Sequence, residues 1–282
     1  MTAQAALVAG VRRLREAGVP DPARDARWLL AHAMGIAPDR LTLHLPDDLP
    51  PEAAARFGAA LDRRCKRQPV SQITGTRLFL GRAFNVTPDV LDPRPETETL
   101  VLAALEQPFS RVLDLGTGSG CILLSLLAEN PAATGLGVDL SEAALKVAER
   151  NAKVLGVADR ANLCQSDWFH AVTDTFDLIV SNPPYIDDAV WQTLDPEPRL
   201  WEPKTALTPG PDGLAPYRLI AERAPAHLAP GGRLLVEIGY DQGPSVATLF
   251  QTAGFADVAI LPDMDGRDRC VRGIWTGETL QK

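Results

Sequence analysis

The chain of 282 residues has few of the features that anchor, cross-link or metallate a protein. No apolar run approaches the roughly 20 residues of a membrane-spanning helix, so no membrane association is expected. The four cysteines are widely scattered, without a C-x-x-C pair or a histidine cluster, which predicts neither a disulfide framework nor a metal site. The N-terminus lacks a basic stretch followed by a long apolar core, so a secretory signal is not expected. These absences predict a cytoplasmic protein.

An excess of positive charge is missing too. The formal net charge is -8, from 28 Lys and Arg against 36 Asp and Glu, which disfavours stable binding to nucleic acid. One basic run extends from Arg63 to Arg67. We interpret it as the solvated end of a helix, favoured by the helix dipole, rather than as a binding patch.

Helical patterns occupy residues 1–68. Thr2 is a candidate N-cap for the first helix, a second is predicted between Asp21 and Gly35, and a fourth begins at Pro51 after a short piece. This pattern predicts a small bundle that packs on a larger domain or docks a macromolecular substrate. The helical pattern ends at residues 69–92, and this segment is predicted to be a short hairpin or extended linker.

Strand and helix patterns alternate through residues 93–282, which predicts an α/β domain with a parallel sheet. A long proline-rich stretch, 186–213, is predicted to be irregular and functional. The strand candidates are 111–115, 134–138, 161–164, 176–181, 232–238, 256–260 and 270–275. The helix candidates are 96–106, 119–129, 141–155, 214–228 and 243–253.

The tetrapeptide Asn182-Pro183-Pro184-Tyr185 follows the buried strand candidate 176–181. Its prolines cannot donate to a neighbouring strand, so they predict a rigid turn at the carboxyl end of the sheet, where ligands bind. The Asn182 side-chain oxygen and the Pro183 carbonyl are two acceptors that could hold both hydrogens of a planar NH2 group. Tyr185 offers a flat face to pack on that group.

A glycine-rich turn, Gly116-Thr117-Gly118-Ser119-Gly120, connects the strand candidate 111–115 to a helix. Its glycines permit close approach of a nucleotide-type cofactor. The G-x-G-x-G spacing differs from the dinucleotide fingerprint G-x-G-x-x-G. Asp114 immediately precedes the turn, and an acidic residue there is expected to favour cationic S-adenosylmethionine over a pyrophosphate.

Three further side chains are candidates for the cofactor site. Asp139 ends the next strand, where ribose-binding acids lie in such folds. Asp167 could accept from an adenine amino group, and Trp168 could either cover the adenine edge or belong to the core. Asp139 alone does not distinguish the two kinds of cofactor.

The chain resembles class I S-adenosylmethionine-dependent methyltransferases that modify planar amino groups. The resemblance is closest to the HemK/PrmC-type peptide chain release factor glutamine methyltransferases, and PRPETE together with NPPY makes it specific. The motifs that carry it are PVSQITG (69–75), FLGRAFNV (79–86), PRPETE (93–98), DLGTGSG (114–120), SNPPYI (181–186) and EPKTAL…DGL (202–214).

This resemblance implies a Rossmann-like methyltransferase domain with a mostly parallel seven-stranded sheet, preceded by a small all-helical domain and a β-hairpin linker. The implied divisions are a substrate-docking domain (1–68), the linker (69–92) and the methyltransferase domain (93–282). The implied reaction is methylation of the glutamine amide in the GGQ loop of class I release factors, which yields S-adenosylhomocysteine without a metal. A monomer is expected.

The resemblance also implies roles for individual residues. Asn182, Pro183 and Tyr185 would be catalytic, and Pro184, Arg94 and Glu96 would join them in binding substrate, with Thr97 at the border. Glu96 could instead cap the following helix. The implied cofactor residues are Gly116, Thr117, Gly118, Ser119, Gly120, Asp139, Asp167, Trp168 and Asn182. Asp92 departs from the family pattern, which usually has an apolar residue before PRPETE.

Several alternatives stay open. An NPPY motif would grip the amine of adenine in DNA equally well, although the acidic catalytic region and the lack of a basic recognition region oppose that function. A glutamine of a ribosomal protein is a second possible substrate. A dinucleotide-dependent oxidoreductase is less favoured because of Asp114 and the spacing of the glycines. A non-catalytic binding module is less favoured because the NPPY motif is intact.

Overall fold

The computed structural model describes residues 1–277. Its α-helices are α1 (Ala3–Glu16), α2 (Pro22–Met34), α3 (Leu41–His44), α4 (Pro51–Cys65), α5 (Val70–Thr74), α6 (Glu98–Leu105), α7 (Cys121–Glu129), α8 (Glu142–Val154), α9 (Asp188–Trp191), α10 (Pro196–Trp201), α11 (Ala215–Arg223) and α12 (Gly243–Thr252). Its strands are β1 (Thr76–Phe79), β2 (Arg82–Asn85), β3 (Arg111–Leu115), β4 (Thr134–Asp139), β5 (Ala161–Gln165), β6 (Phe176–Ser181), β7 (Leu228–Glu237), β8 (Ala256–Pro262) and β9 (Asp268–Ile274). None of the helices in 1–277 is long and apolar enough to cross a membrane.

The chain forms two compact units. The smaller unit comprises Met1–Thr76 and Asp195–Trp201, and the larger comprises Arg77–Leu194 and the described residues from Glu202 onward. The smaller unit is helical, as predicted, and its capping residues act as expected. The Thr2 hydroxyl accepts from the backbone N–H of Ala5, and Asp21 accepts from that of Arg24.

The basic run at the end of α4 is predicted to be a solvated helix end, and the structure shows that two of its arginines form ion pairs instead. Arg64 is only 6% exposed and pairs with Asp25 (2.6 Å) and Glu197 (3.1 Å). Arg67 reaches both oxygens of Glu197, at 2.8 and 2.7 Å. Since Glu197 lies on α10, 130 residues further along the chain, local sequence could not reveal that α10 joins this helical unit.

The hairpin consists of β1 and β2, and the larger unit contains a seven-stranded sheet in the order β5-β4-β3-β6-β7-β9-β8. Strands β3 to β7 pair in parallel, and β9 runs antiparallel to both β7 and β8. The predicted fold class, a mostly parallel seven-stranded sheet after a helical domain and a hairpin, is therefore confirmed.

Two hydrophobic clusters cover the two faces of this sheet. Val112 belongs to one cluster, together with residues of α6 and α7. Its neighbour Leu113 belongs to the other, together with Tyr217 of α11 and Phe250 of α12. Because successive side chains of a strand point to opposite faces, this division follows from the strand itself.

Several predicted boundaries are wrong in detail. The helix predicted at 96–106 begins with a 3-10 turn, Pro95–Thr97, before α6, and that at 214–228 ends in another, Ala224–His227. The stretch 186–213, predicted to be irregular, contains α9, α10 and a 3-10 turn, Lys204–Ala206. A proline lies at or next to the start of each 3-10 turn, where its fixed φ suits a helix start.

The parallel strands bring their carboxyl ends to one edge of the sheet. Leu115 of β3 is in register with Val138 of β4 and with Ser181 of β6. Ser181 is in turn in register with Val236 of β7. The glycine-rich turn, Asp139, NPPY and Glu237 therefore all begin or lie at this edge.

Candidate active site

The glycine-rich turn folds over the end of β4. The backbone N–H groups of Gly116 and Thr117 both donate to the Val138 carbonyl at 2.9 Å. Gly116 and Gly118 have φ values of 70° and 55°, which explains the need for glycine there. Gly116, Thr117, Gly118 and Ser119 line a cavity of about 390 Å³.

Gly120 has a different place from the other predicted cofactor residues of this turn. It is the N-cap of α7 with φ of 81°, and it is not among the residues that line the cavity. A Cβ there would lie 2.8 Å from Leu124 Cδ1 and 3.3 Å from the Cβ of Ala148. Gly120 therefore permits α7 and α8 to pack closely behind the turn.

Asp114 does not face the cavity, which corrects the expectation that its charge acts on a cofactor directly. It is fully buried, and its Oδ2 accepts from the Thr117 hydroxyl (2.7 Å) and the Leu123 backbone N–H (3.3 Å). Burial raises its pKa to about 7. Asp114 thus organises the turn and the start of α7.

Asp139 lies in the cavity wall at the end of β4. Its Oδ2 accepts from the Gly118 N–H and its Oδ1 from the Ser141 N–H, each at 2.8 Å. Burial raises the pKa of its carboxyl group, and these backbone N–H groups oppose that rise. Each oxygen keeps a further lone pair, so the carboxylate can accept from the hydroxyls of a ribose.

Asp167 and Trp168 also line the cavity. Trp168 has φ of 50°, an uncommon backbone conformation for a bulky residue, and its carbonyl accepts from the Ser166 hydroxyl at 2.8 Å. Trp168 contacts the second hydrophobic cluster as well. Trp168 therefore contacts both the core and the cavity, and its role at an adenine edge stays a prediction.

NPPY begins directly after β6, where the Ser181 hydroxyl donates to the Leu115 carbonyl at 2.8 Å. Asn182 and Pro184 line the cavity, while Pro183 is buried and is not among the lining residues. The Tyr185 hydroxyl lies 3.5 Å from Glu237 Oε1, and its backbone carbonyl accepts from Gln242 Nε2 at 3.1 Å. Burial raises the pKa of Tyr185, which stays a neutral phenol.

The PRPETE segment contributes Arg94 and Thr97 to the cavity wall. Arg94 Nη2 donates to both oxygens of Glu202, at 2.9 and 2.7 Å, and the Glu202 side chain is buried. Glu96 is exposed in the 3-10 turn and is not among the lining residues.

Asp92, which departs from the family pattern, is buried and lies 3.7 Å from Arg77. Arg77 therefore forms an ion pair with Asp92, at a position where the family usually has an apolar residue.

Sequence reasoning missed Glu237 and Gln242. Glu237 is the last residue of β7, so its position at the carboxyl end of a parallel strand was the one available signal. Gln242 Oε1 accepts from the Gly239 N–H (3.0 Å) while its Nε2 holds Tyr185. No local pattern marks that second contact, because it joins residues 57 positions apart.

The cavity suits a nucleoside that carries positive charge. Its volume is within the usual range of about 300–1,000 Å³ for small-molecule sites. Asp89, Asp139 and Asp167 are among its lining residues, and the cationic Arg94 is already paired with Glu202. A pyrophosphate would meet these carboxylates without a free cation to oppose them. No cluster of three or more possible metal ligands occurs within residues 1–277.

The strand order, the glycine-rich turn and a cavity at the carboxyl edge of the sheet define a Rossmann-like methyltransferase. A family model described as the methyltransferase small domain matches residues 94–195, and one described as the PrmC N-terminal domain matches residues 5–75. A solved methyltransferase structure from Pyrococcus furiosus has a TM-score of 0.55, over 76% of this chain and 98% of that one, at 16% identity. That likeness concerns the fold alone.

Two relatives establish the family. The release factor glutamine methyltransferase of Cereibacter sphaeroides is 64% identical over 271 residues, which cover 96% of this chain and 98% of that protein. The release factor glutamine methyltransferase of Rhodospirillum rubrum is 48% identical over 265 residues, covering 93% and 82%. The chain belongs to the family of release factor glutamine methyltransferases.

Proposed function

We propose that this enzyme transfers the methyl group of S-adenosylmethionine to the side-chain amide nitrogen of the glutamine in the GGQ motif of class I release factors. The observation that carries the proposal is the placement of Asn182 in the wall of a carboxylate-lined cavity, with its Nδ2 held by Thr97 at 3.2 Å. The names of the relatives support a glutamine of a release factor as the substrate. We propose that the enzyme acts in the cytoplasm, as a monomer, without stable binding to nucleic acid or membrane.

The cofactor would lie in the cavity, with its ribose on Asp139 and its adenine near Asp167 and Trp168. The backbone of Gly116 and Gly118 allows close approach there. When bound, S-adenosylmethionine supplies an electrophilic methyl group on a positively charged sulfur. The carboxylates of the lining favour that positive charge, and the chain needs no metal for this chemistry.

The chain's own contribution is orientation of the acceptor. Asn182 Oδ1 and the Pro183 carbonyl would accept the two N–H bonds of the substrate amide, and Tyr185 would pack on its plane. An amide nitrogen is a weak nucleophile because its lone pair is delocalised. Holding both N–H bonds directs that lone pair toward the methyl group. On transfer, a carbon–nitrogen bond would form as the carbon–sulfur bond breaks, and the nitrogen would lose one proton to water; we assign no general base.

The test is transfer of labelled methyl from S-adenosylmethionine to a purified class I release factor and to its GGQ glutamine-to-alanine variant. We expect label on the wild-type factor only. Asn182→Ala should remove most of the transfer, whereas the matched control Asn162→Ala, at an exposed position of β5, should retain it.

The alternative substrates are separate arms of the same assay. Label on a ribosomal protein or on adenine in DNA, with none on the release factor, would overturn the proposed substrate while leaving the methyltransferase class intact. Near-normal turnover by Asn182→Ala would overturn the role of NPPY.

A further inference from the structure

Two buried polar residues outside NPPY lie next to its asparagine and tyrosine. Thr97 is 2% exposed, and its Oγ1 accepts from Asn182 Nδ2 at 3.2 Å. Glu237 is 1% exposed, and its Oε1 lies 3.5 Å from the Tyr185 hydroxyl. The Thr97 side chain also lowers the pKa of the Glu237 carboxyl group. Thr97 therefore holds Asn182 and acts on the pKa of a buried acid.

An asparagine side chain has a donor end and an acceptor end of nearly equal shape, so its partners decide which end faces a ligand. Because Nδ2 of Asn182 donates to Thr97, Oδ1 is the end that is left to accept. A flipped amide would present its own N–H groups to the N–H groups of a substrate amide. Two donors would then face each other, and the substrate could not be held.

The Thr97 hydroxyl can prevent this flip only if its own hydrogen points elsewhere. A hydroxyl has a single hydrogen, and an ionised carboxylate accepts but cannot donate. With Glu237 ionised, the Thr97 hydrogen would be drawn toward the carboxylate, and the hydroxyl lone pairs would be kept for Asn182. The direction of both hydrogen bonds is then set by the charge of Glu237.

We propose that Thr97 and Glu237 are positioning residues that fix the orientation of the Asn182 amide, so that Oδ1 faces the nitrogen to be methylated. The relevance to turnover rests on the proposed function. The orientation itself is a property of the protein without substrate and can be tested separately.

The orientation should depend on pH. Burial raises the pKa of Glu237 to about 7, and the Thr97 side chain opposes that rise. A protonated Glu237 can donate to Thr97, which would then donate to Asn182 Oδ1 and favour the flipped amide. Turnover should therefore be low below about pH 7 and rise above it. The other titratable groups that face Glu237 are Tyr185, Tyr217, Arg269, Glu96, Cys121 and Cys270.

The kinetic test compares Thr97→Val, Thr97→Ser and Glu237→Gln with the wild type, using labelled S-adenosylmethionine and purified release factor. Thr97→Val removes the acceptor of Asn182 at nearly constant shape, and kcat should fall about 10- to 100-fold, with the KM for S-adenosylmethionine little changed. Thr97→Ser restores the hydroxyl and should recover most of that loss. Glu237→Gln should abolish the acidic limb of the pH profile.

Glu129→Gln is the matched control, because Glu129 forms an ion pair with Arg82 outside the cavity and its side chain is 47% exposed. It should keep both the turnover and the pH profile of the wild type. Thr97→Val with kcat within about twofold of the wild type would overturn the proposal. An unchanged acidic limb in Glu237→Gln would overturn it as well.

A second measurement needs no substrate. The side-chain NH2 resonances of Asn182, assigned by their loss in Asn182→Asp, should show one hydrogen-bonded proton in the wild type. That signature should disappear in Thr97→Val and return in Thr97→Ser. If the wild type methylates no release factor but shows the signature, the proposed substrate fails and the orientation stands. Signals that are identical in all these variants would refute the orientation.

Discussion

A single methyl group added at Gly213 should damage catalysis more than cofactor binding. Gly213 has an ordinary backbone conformation, so its need for glycine concerns space. A Cβ there would lie under 3.0 Å from the backbone oxygen of Tyr185, 3.3 Å from its carbonyl carbon and 3.1 Å from Gln242 Nε2. The oxygen belongs to the backbone of NPPY, so a side-chain rotation cannot relieve the overlap.

The size of the effect follows from the displacement. An ordinary contact between a carbon and a carbonyl oxygen is about 3.3–3.6 Å, so Tyr185 and Gly213 must move apart by roughly 1 Å. Tyr185 is three residues from Asn182, on a rigid turn. A misplacement of about 1 Å in a reacting group can cost about 100-fold in rate. We therefore expect Gly213→Ala to lower kcat by about 10- to 100-fold.

The assay measures initial rates of methyl transfer to release factor, together with the Kd for S-adenosylmethionine by calorimetry. That Kd should change by less than about threefold, because Gly213 is not among the residues that line the cavity. Gly58→Ala is the matched control, since a Cβ at Gly58 meets nothing within 4 Å. A folded Gly213→Ala enzyme with wild-type turnover would refute the reasoning.

Three other changes test other parts of the structure. Asp139→Ala should weaken S-adenosylmethionine binding by at least about tenfold, because a charged hydrogen-bond acceptor for the ribose is lost; calorimetry that finds an unchanged Kd would contradict the assignment. Arg64→Met should lower the free energy of unfolding in urea by about 3 kcal/mol or more, because it leaves Asp25 without its buried partner, whereas Glu197 keeps Arg67; a loss under about 1 kcal/mol would show that the buried pair contributes little. Asp114→Asn should gain stability relative to wild type as the pH rises from about 4 to about 7, with a constant difference above that range. The folded-state pKa of Asp114, about 7, lies above its unfolded value, so folding retains a proton and wild-type stability falls as pH rises through this window; urea titrations with a pH-independent difference would exclude this linkage.

Much of the fold could be predicted because its signals are local. Alternating apolar segments placed all seven strands of the large sheet, and Thr2, Asp21 and Gly35 marked helix ends that the structure reproduces. The boundaries near prolines were less accurate. Pro95 favours a helix start, yet nothing local determines whether the first turn is 3-10 or α.

The candidate site could be predicted only where its residues follow strands. The parallel connections force Gly116, Asp139 and Asn182 to the same edge, so their common cavity follows from their places in the sequence. Their assignment to cofactor or substrate stays a prediction. Asp114 was misjudged because a strand-end acid can point into the core as well as toward the ligand. Its burial depends on which face of β3 the packed helix α7 covers.

By itself, the sequence determined the order of the strands along the chain, the rigid NPPY turn and the glycine-rich turn, because each depends on neighbouring residues. Only the tertiary structure decided the partners of those turns. Thr97 meets Asn182 across 85 residues, Tyr185 meets Glu237 across 52, and Arg64 meets Glu197 across 133. Such pairs form when separate elements pack together, and short-range propensity carries no information about which distant side chain will be the neighbour. The residue types of the NPPY turn are thus set by the local sequence. The orientation of its side chains depends on the assembled fold.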